Sequence, residues 1–319
     1  MLGHRRILLS PRRSPNQTVL HSKISAHNRQ GTSPEPLHTL ASMLLAPRYE
    51  GPCVLTMFGD PCDQIALVAR QRRRFETTLA TLNDEQWATA SRCEGWSVQD
   101  VIAHLVGVNS FWELSVRSAL QGEPTKLLAG FDPADTPPLM IAPMRALTHG
   151  EVLAQFVTTN DGFLNAIDGL DATQCSMLAE APIGHVALRV MLAHALWDSW
   201  IHERDVMLPL HLTPTAEADE VKSCLEYCAA VGPALSYGTG SPIQPTNVAV
   251  ESSNPECGFT LRIGTSVEVV DGIDDQVHVL RGDATALVES LSLRTPFPTD
   301  SNGAWSDVIA GLQRAFNAT

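Results

Sequence analysis

One segment restricts the possible folds more than any other: Leu196-Trp197-Asp198-Ser199-Trp200-Ile201-His202-Glu203-Arg204-Asp205. Asp198 and His202 stand four apart, so on a helix both project from one face about one turn apart. His194 extends that polar line by another step of four, and Val186, Val190, Leu196, Trp197, Trp200 and Ile201 run beside it. Polar groups set against an apolar face cost free energy unless each finds a partner or a metal. The line therefore calls for other helices to cover it and for something to engage its polar atoms.

A second segment, Asp100-Val101-Ile102-Ala103-His104-Leu105, puts His104 on the apolar face formed by Val101, Leu105, Val108, Phe111 and Trp112. If the two helices face each other, His104, Asp198 and His202 form a His, Asp, His set with an open position, the arrangement a catalytic zinc needs. Blander readings exist. His104 alone reads first as a hydrogen-bonded core histidine, the usual role of a lone inward histidine, and the polar line reads also as an exposed ladder, although Trp197 and Trp200 speak against exposure. His194 reads as a neighbour or a supporting group, with a fourth ligand as the alternative. Glu203, Arg204 and Asp205 can orient the ligands through hydrogen bonds, as carboxylates do for metal-bound imidazoles.

The surrounding pattern is helical. Asp60-Pro61-Cys62-Asp63 offers a start, and Ile65, Val68, Phe75, Leu79 and Leu82 continue as a stripe broken by Arg72. The four arginines of Arg70 to Arg74 read as a solvated face, with anion binding as the sharper alternative. Ser97 and Asp100 form a near capping box, so the next helix begins at Val98. A Pro-rich connection over 124–143 leads to a helix over Glu151 to Leu170, and the fourth runs from about His185 to Met207.

Beyond Thr213 the texture changes. Ala216 to Leu235 reads as a helix, followed by strands over Thr246 to Glu251, Gly258 to Ile263, Val267 to Val270 and Gln276 to Leu280, a short helix ending near Leu293, and a terminal helix over Trp305 to Phe316. Cys224 and Cys228, also four apart, lack companion ligands and read as core thiols. The expected divisions are a disordered extension over 1–56, a helical bundle over 57–212 and a small α+β domain over 213–319.

Charge supports the first boundary. The chain of 319 residues carries a net −13, yet residues 1–56 hold seven Lys or Arg against two Glu, or +5, leaving −18 for the rest. Residues 1–56 show no apolar periodicity, and Met57 reads as an alternative start; a targeting-peptide reading lacks a long apolar stretch. The acidic balance argues against a nucleic-acid partner, and no run of about eighteen apolar residues offers a membrane span. Seven scattered cysteines in a chain this long fit a reducing cytoplasm.

The succession Leu82 to Trp87, then Cys93-Glu94-Gly95-Trp96-Ser97-Val98-Gln99-Asp100-Val101-Ile102-Ala103-His104-Leu105, then Trp197 to Asp205 resembles the mycothiol-dependent maleylpyruvate isomerase family. The resemblance covers roughly 60–210, and Leu280-Arg281-Gly282-Asp283-Ala284 looks like that family's C-terminal domain. It implies a DinB-like four-helix bundle followed by a small α+β domain. It also implies His104, Asp198 and His202 as ligands of a divalent metal, expected to be zinc, although the isomerase carries Glu at the position of Asp198.

The cofactor implied is a low-molecular-weight thiol, expected to be mycothiol, and the substrate a small electrophilic molecule. A thiol ionised at the metal adds to an electrophilic carbon and either stays, as in S-transfer, or leaves after bond rotation, as in isomerisation. Two other classes compete: a metal-stabilised binding or regulatory module without turnover, and a zinc-dependent hydrolase using bound water.

Overall fold

A computed structural model describes residues 47–132, 135–237, 244–275 and 277–297, together with Trp305, Ser306, Val308 and Ile309. Local hydrogen bonds mark where several of the helices begin. After strand β1 (Leu55–Met57), helix α1 (Asp63–Leu79) starts where the Asp60 carboxylate accepts from the Cys62 amide at 2.8 Å. Short α2 (Asp84–Ala88) opens with the Asn83–Gln86 box, and α3 (Val98–Leu120) with the expected Ser97–Asp100 box. The Pro-rich connection folds into short α4 (Thr136–Ile141) and a 3₁₀ turn. Helix α5 (His149–Ile167) starts at the Thr148–Glu151 box, two residues before the expected position.

After α6 (Ala172–Cys175), β2 (Leu178–Ala181) and β3 (Gly184–Ala187) form a small antiparallel hairpin, and α7 (Leu188–Met207) follows directly. Helices α3 and α5 pack against each other, as do α1 and α7, and α7 also meets α3. Inward residues of all four are buried, among them Phe75, Leu105, Trp112, Phe156, Phe163 and Trp200. Helix α7 is buried on nearly every side, so its polar line is enclosed by protein.

The C-terminal region begins with α8 (Ala218–Ser236), then β4 (Thr246–Ser253), β5 (Cys257–Ile263), β6 (Val267–Asp271), β7 (His278–Asp283) and α9 (Ala284–Leu291). These strands join β1 in a mixed sheet of order β1-β6-β5-β4-β7, with β1–β6 and β4–β7 parallel and the inner pairs antiparallel. Apolar residues of α7, α8 and the sheet, including Met191, Tyr227, Val250 and Leu261, form one continuous cluster.

The organised chain reaches further back than Met57. Leu55 pairs with Val267, Val54 and Leu55 are buried, and Arg48 exchanges backbone hydrogen bonds with Ile183 and His185 at 3.2 and 3.0 Å. The disordered extension expected over 1–56 is thus wrong for 47–56, and the sheet expected within 213–319 takes an edge strand from the far end of the chain. Residues 1–46 lie outside the described residues, as does most of the expected terminal helix; Trp305 is buried, its indole donating to the His278 carbonyl at 3.3 Å. Among the described residues no helix is long and apolar enough to cross a membrane.

Candidate metal centre

His104 projects from α3 towards the face of α7 that carries Asp198 and His202. One donor atom from each of the three lies within 4.8 Å of the others, and the two imidazole rings stand 5.3 Å apart at 75°. The Nε2 of His202 is 3.7 Å from Asp198 Oδ1. Two polar atoms of this group are buried without a hydrogen-bond partner: His104 Nδ1 and Asp198 Oδ2. Native interiors seldom leave such atoms unpaired, because desolvation without replacement costs ~1–3 kcal/mol each. Two imidazoles and a carboxylate with spare lone pairs are a donor set that suits a divalent cation such as zinc.

The other side of His202 is crowded. Its Nδ1 faces Asp205 Oδ2 at 3.1 Å, and Arg294, just beyond α9, donates a fork to the same carboxylate at 2.9 and 2.8 Å. Arg92 donates to Asp205 Oδ1 at 3.0 Å, and the Cys93 thiol donates to Oδ2 at 3.3 Å. Burial would raise the Asp205 pKa, but the bonds from His202 and Arg294 win and hold it far below the usual carboxylate range.

Burial likewise works against charging His202, yet Asp205, Cys93 and Asp198 outweigh it and lift the imidazole to about 10. His104 moves the other way, to about 4, through burial and the nearby charge of His202. At neutral pH the metal-free site therefore pairs a neutral imidazole, ready to ligate, with an imidazolium that must give up a proton to do so.

Cys93, His202 and Asp205 form a second cluster with ligand atoms within 4.8 Å. Two guanidinium groups already occupy Asp205, and their charge repels a cation there. That side holds the histidine ring; the side of Asp198 has the free lone pairs.

The remaining expected site residues divide. Asp205 meets His202 through the hydrogen bond at Nδ1. Glu203 turns away, accepting from Gln71 at 3.1 Å and from Arg74 at 3.2 and 3.1 Å. Arg204 stacks on Trp200, 3.3 Å from the ring centroid, and sits 3.6 Å from Glu289 without touching a ligand. His194 bonds the Tyr227 hydroxyl between Trp112 and Trp197, and burial lowers it to about 4.

The arginine run is a solvated face only in part: Arg70 and Arg73 are exposed, whereas Arg74 binds Glu203 and Glu220 and Arg72 is fully buried. Reasoning from sequence missed Cys93, Arg92 and Arg294. Cys93 stood inside the quoted motif, but nothing local marks the two arginines.

Comparison with known proteins follows the same outline. Residues 68–207 match the family model of the mycothiol maleylpyruvate isomerase N-terminal domain. The fold is similar to a crystal structure of the mycothiol-dependent maleylpyruvate isomerase, at TM-score 0.53 and 14% identity, covering 76% of this chain and 94% of that one. A histidine-to-alanine variant of that enzyme gives TM-score 0.52 at 15% identity, over 74% of this chain and 90% of that one. At these identities the likeness is one of fold. No curated protein matches the chain in sequence.

Proposed function

Residues 68–207 belong to the mycothiol maleylpyruvate isomerase N-terminal domain family, and from that premise we propose that this protein is a metal- and thiol-dependent enzyme, an isomerase or S-transferase acting on a small electrophile such as maleylpyruvate. Helices α1, α3, α5 and α7 are read as a DinB-like four-helix bundle, with His104, Asp198 and His202 as ligands of a divalent cation, zinc by the chemistry of its donors. The observation that carries the reading is the pair of unpartnered buried atoms, His104 Nδ1 and Asp198 Oδ2, in a group whose donors converge from two helices. When bound, the cation supplies a Lewis-acid position where a thiol such as mycothiol is ionised at neutral pH.

The residues of the chain prepare that position. Asp205, braced by Arg294 and Arg92, fixes the His202 ring through Nδ1 so that Nε2 is left for the cation side. His104 stays neutral in its buried setting and keeps a lone pair available. Trp96 packs beside the His104 ring, with the ring centres 5.5 Å apart. All seven cysteines are free, which suits a reducing cytoplasm in which a small thiol stays reduced.

The test is metal analysis of the purified protein, followed by incubation with maleylpyruvate and other small electrophiles, with and without mycothiol. Thiol-dependent turnover that disappears in His104→Ala is the expected result. Turnover without thiol would favour zinc-dependent hydrolysis, and metal uptake without turnover would favour a binding module.

A further inference from the structure

Two residues of the C-terminal region reach the metal centre from the far side of His202. Arg294, just beyond α9, donates directly to Asp205 at 2.9 and 2.8 Å. Glu289, on α9 itself, takes a longer route: its Oε2 forms an ion pair with Arg92 Nη2 at 2.7 Å, and Arg92 Nε donates to Asp205 Oδ1 at 3.0 Å. Asp205 Oδ2 in turn faces His202 Nδ1 at 3.1 Å. The contacts Glu289, Arg92, Asp205 and His202 therefore run unbroken from α9 to an imidazole of the helical bundle.

Charge gives Glu289 a second part in the same place. Arg204 approaches it too, with Nε at 3.6 Å from Oε1, so Glu289 and Asp205 together face three guanidinium groups, those of Arg92, Arg204 and Arg294. Both carboxylates are buried, where charges are poorly screened. Without the charge of Glu289, the three cations would be left to Asp205. Arg92, a long side chain now fixed between two carboxylates, would be held by one and free to turn. Its charge would then stand unbalanced beside a site that has to accept a cation.

We propose that Glu289 is a positioning residue of the metal centre: it holds Arg92 against Asp205, thereby fixes the His202 ring, and balances the arginine charge beside it. The proposal rests on the reading of His202 as a ligand. It gives the C-terminal region a share in metal binding, because two of its side chains grip Asp205, one directly and one through Arg92.

Glu289→Gln keeps the shape of the side chain and removes its charge. In the full chain, with folding checked by circular dichroism, zinc affinity read by competition with a chromophoric chelator should fall roughly fivefold, less than the roughly 10–100-fold loss where an outer partner bonds the ligand itself. Arg92→Gln should lower it at least as much, and Glu289→Gln added to Arg92→Gln should cost nothing more, because the link is already broken. Losses that multiply in the double variant would overturn the proposal. So would a folded Glu289→Gln protein that is less stable yet binds zinc as before, since that is the mark of a purely structural residue. If Glu289→Gln does not fold, Arg92→Lys, which keeps the charge but lacks the fork that spans two carboxylates, should show the same roughly fivefold loss, and unchanged affinity there would overturn the proposal.

An unaltered protein that takes up no zinc would overturn the metal reading and leave the brace to be read on its own. In metal-free protein, the NMR resonance of the proton shared between His202 Nδ1 and Asp205 should shift in Glu289→Gln. An unmoved resonance would show that Glu289 does not set Asp205 and would overturn the proposal.

Discussion

Asp198 and Asp205 flank the same imidazole and are treated in opposite ways. Asp205 receives His202, a fork from Arg294, Arg92 and the Cys93 thiol, so its lone pairs are spent. Asp198 has His202 at 3.7 Å and an Oδ2 with no partner. A carboxylate that is fully engaged can fix a ring but cannot bind anything new. One that is partly buried, with an oxygen left unpartnered, is suited to bind a cation. On the proposed reading, the difference separates the residue that positions His202 from the residue that would share its cation.

The largest effect should come from breaking the engaged side. Asp205→Asn strands Arg294 and Arg92 and removes the acceptor for His202, so stability should fall by ~3–5 kcal/mol. Chemical denaturation would show it as a clear drop in midpoint. Zinc affinity should fall as well, by roughly 10–100-fold, the usual cost of losing an outer support. The same loss of affinity with unchanged stability would mean that Asp205 is itself a ligand.

On the other side the effects should fall in the opposite proportion. Asp198→Ala and His104→Ala should each abolish stoichiometric zinc, measured by atomic emission, while helicity stays near normal because the apolar faces of α3 and α7 remain. Retained zinc in either variant would remove that residue from the site.

Glu226 sharpens the comparison as a buried carboxylate with nothing to bind. Its Oε1 has no hydrogen-bond partner, and Lys222 approaches to 3.8 Å. Burial, reinforced by Asp271 and opposed by Lys222 and Arg189, raises it to about 7. Because the folded pKa lies above the unfolded one, the folded protein holds this proton more firmly. Its contribution is fully present below pH about 4.5 and is lost as pH rises towards 7. Glu226→Gln should therefore gain roughly 2–3 kcal/mol over the unaltered protein between pH 4.5 and 8. A constant difference across that range would show that Glu226 titrates normally.

The smallest effect is expected at Cys93. Its hydrogen bond to Asp205 is one of several, so Cys93→Ser should change stability by less than about 1 kcal/mol and leave zinc content intact. Loss of zinc would shift the site to the Cys93, His202, Asp205 cluster.

Much of this was legible in sequence where the information is local. The step of four between Asp198 and His202 places them on one helix face, and Ser97 with Asp100 fixes where the helix bearing His104 begins. The arginine run was misread only in part, at Arg72 and Arg74, and the partners of Arg74 are remote: Glu203 lies 129 residues from Arg74, and Glu220 lies 146. Arg294 reaches Asp205 across 89 residues, and β1 pairs with β6 from the other end of the chain. Periodicity reports which face is apolar, but not which distant charge will meet a buried arginine.

The central claim is that a cation sits on the Asp198 side of His202. Crystals of the protein grown with zinc, measured at the zinc absorption edge, test it most directly. The account predicts one anomalous peak bounded by His104, Asp198 and His202. A peak between Cys93, His202 and Asp205, or no peak near His202 at all, would contradict it.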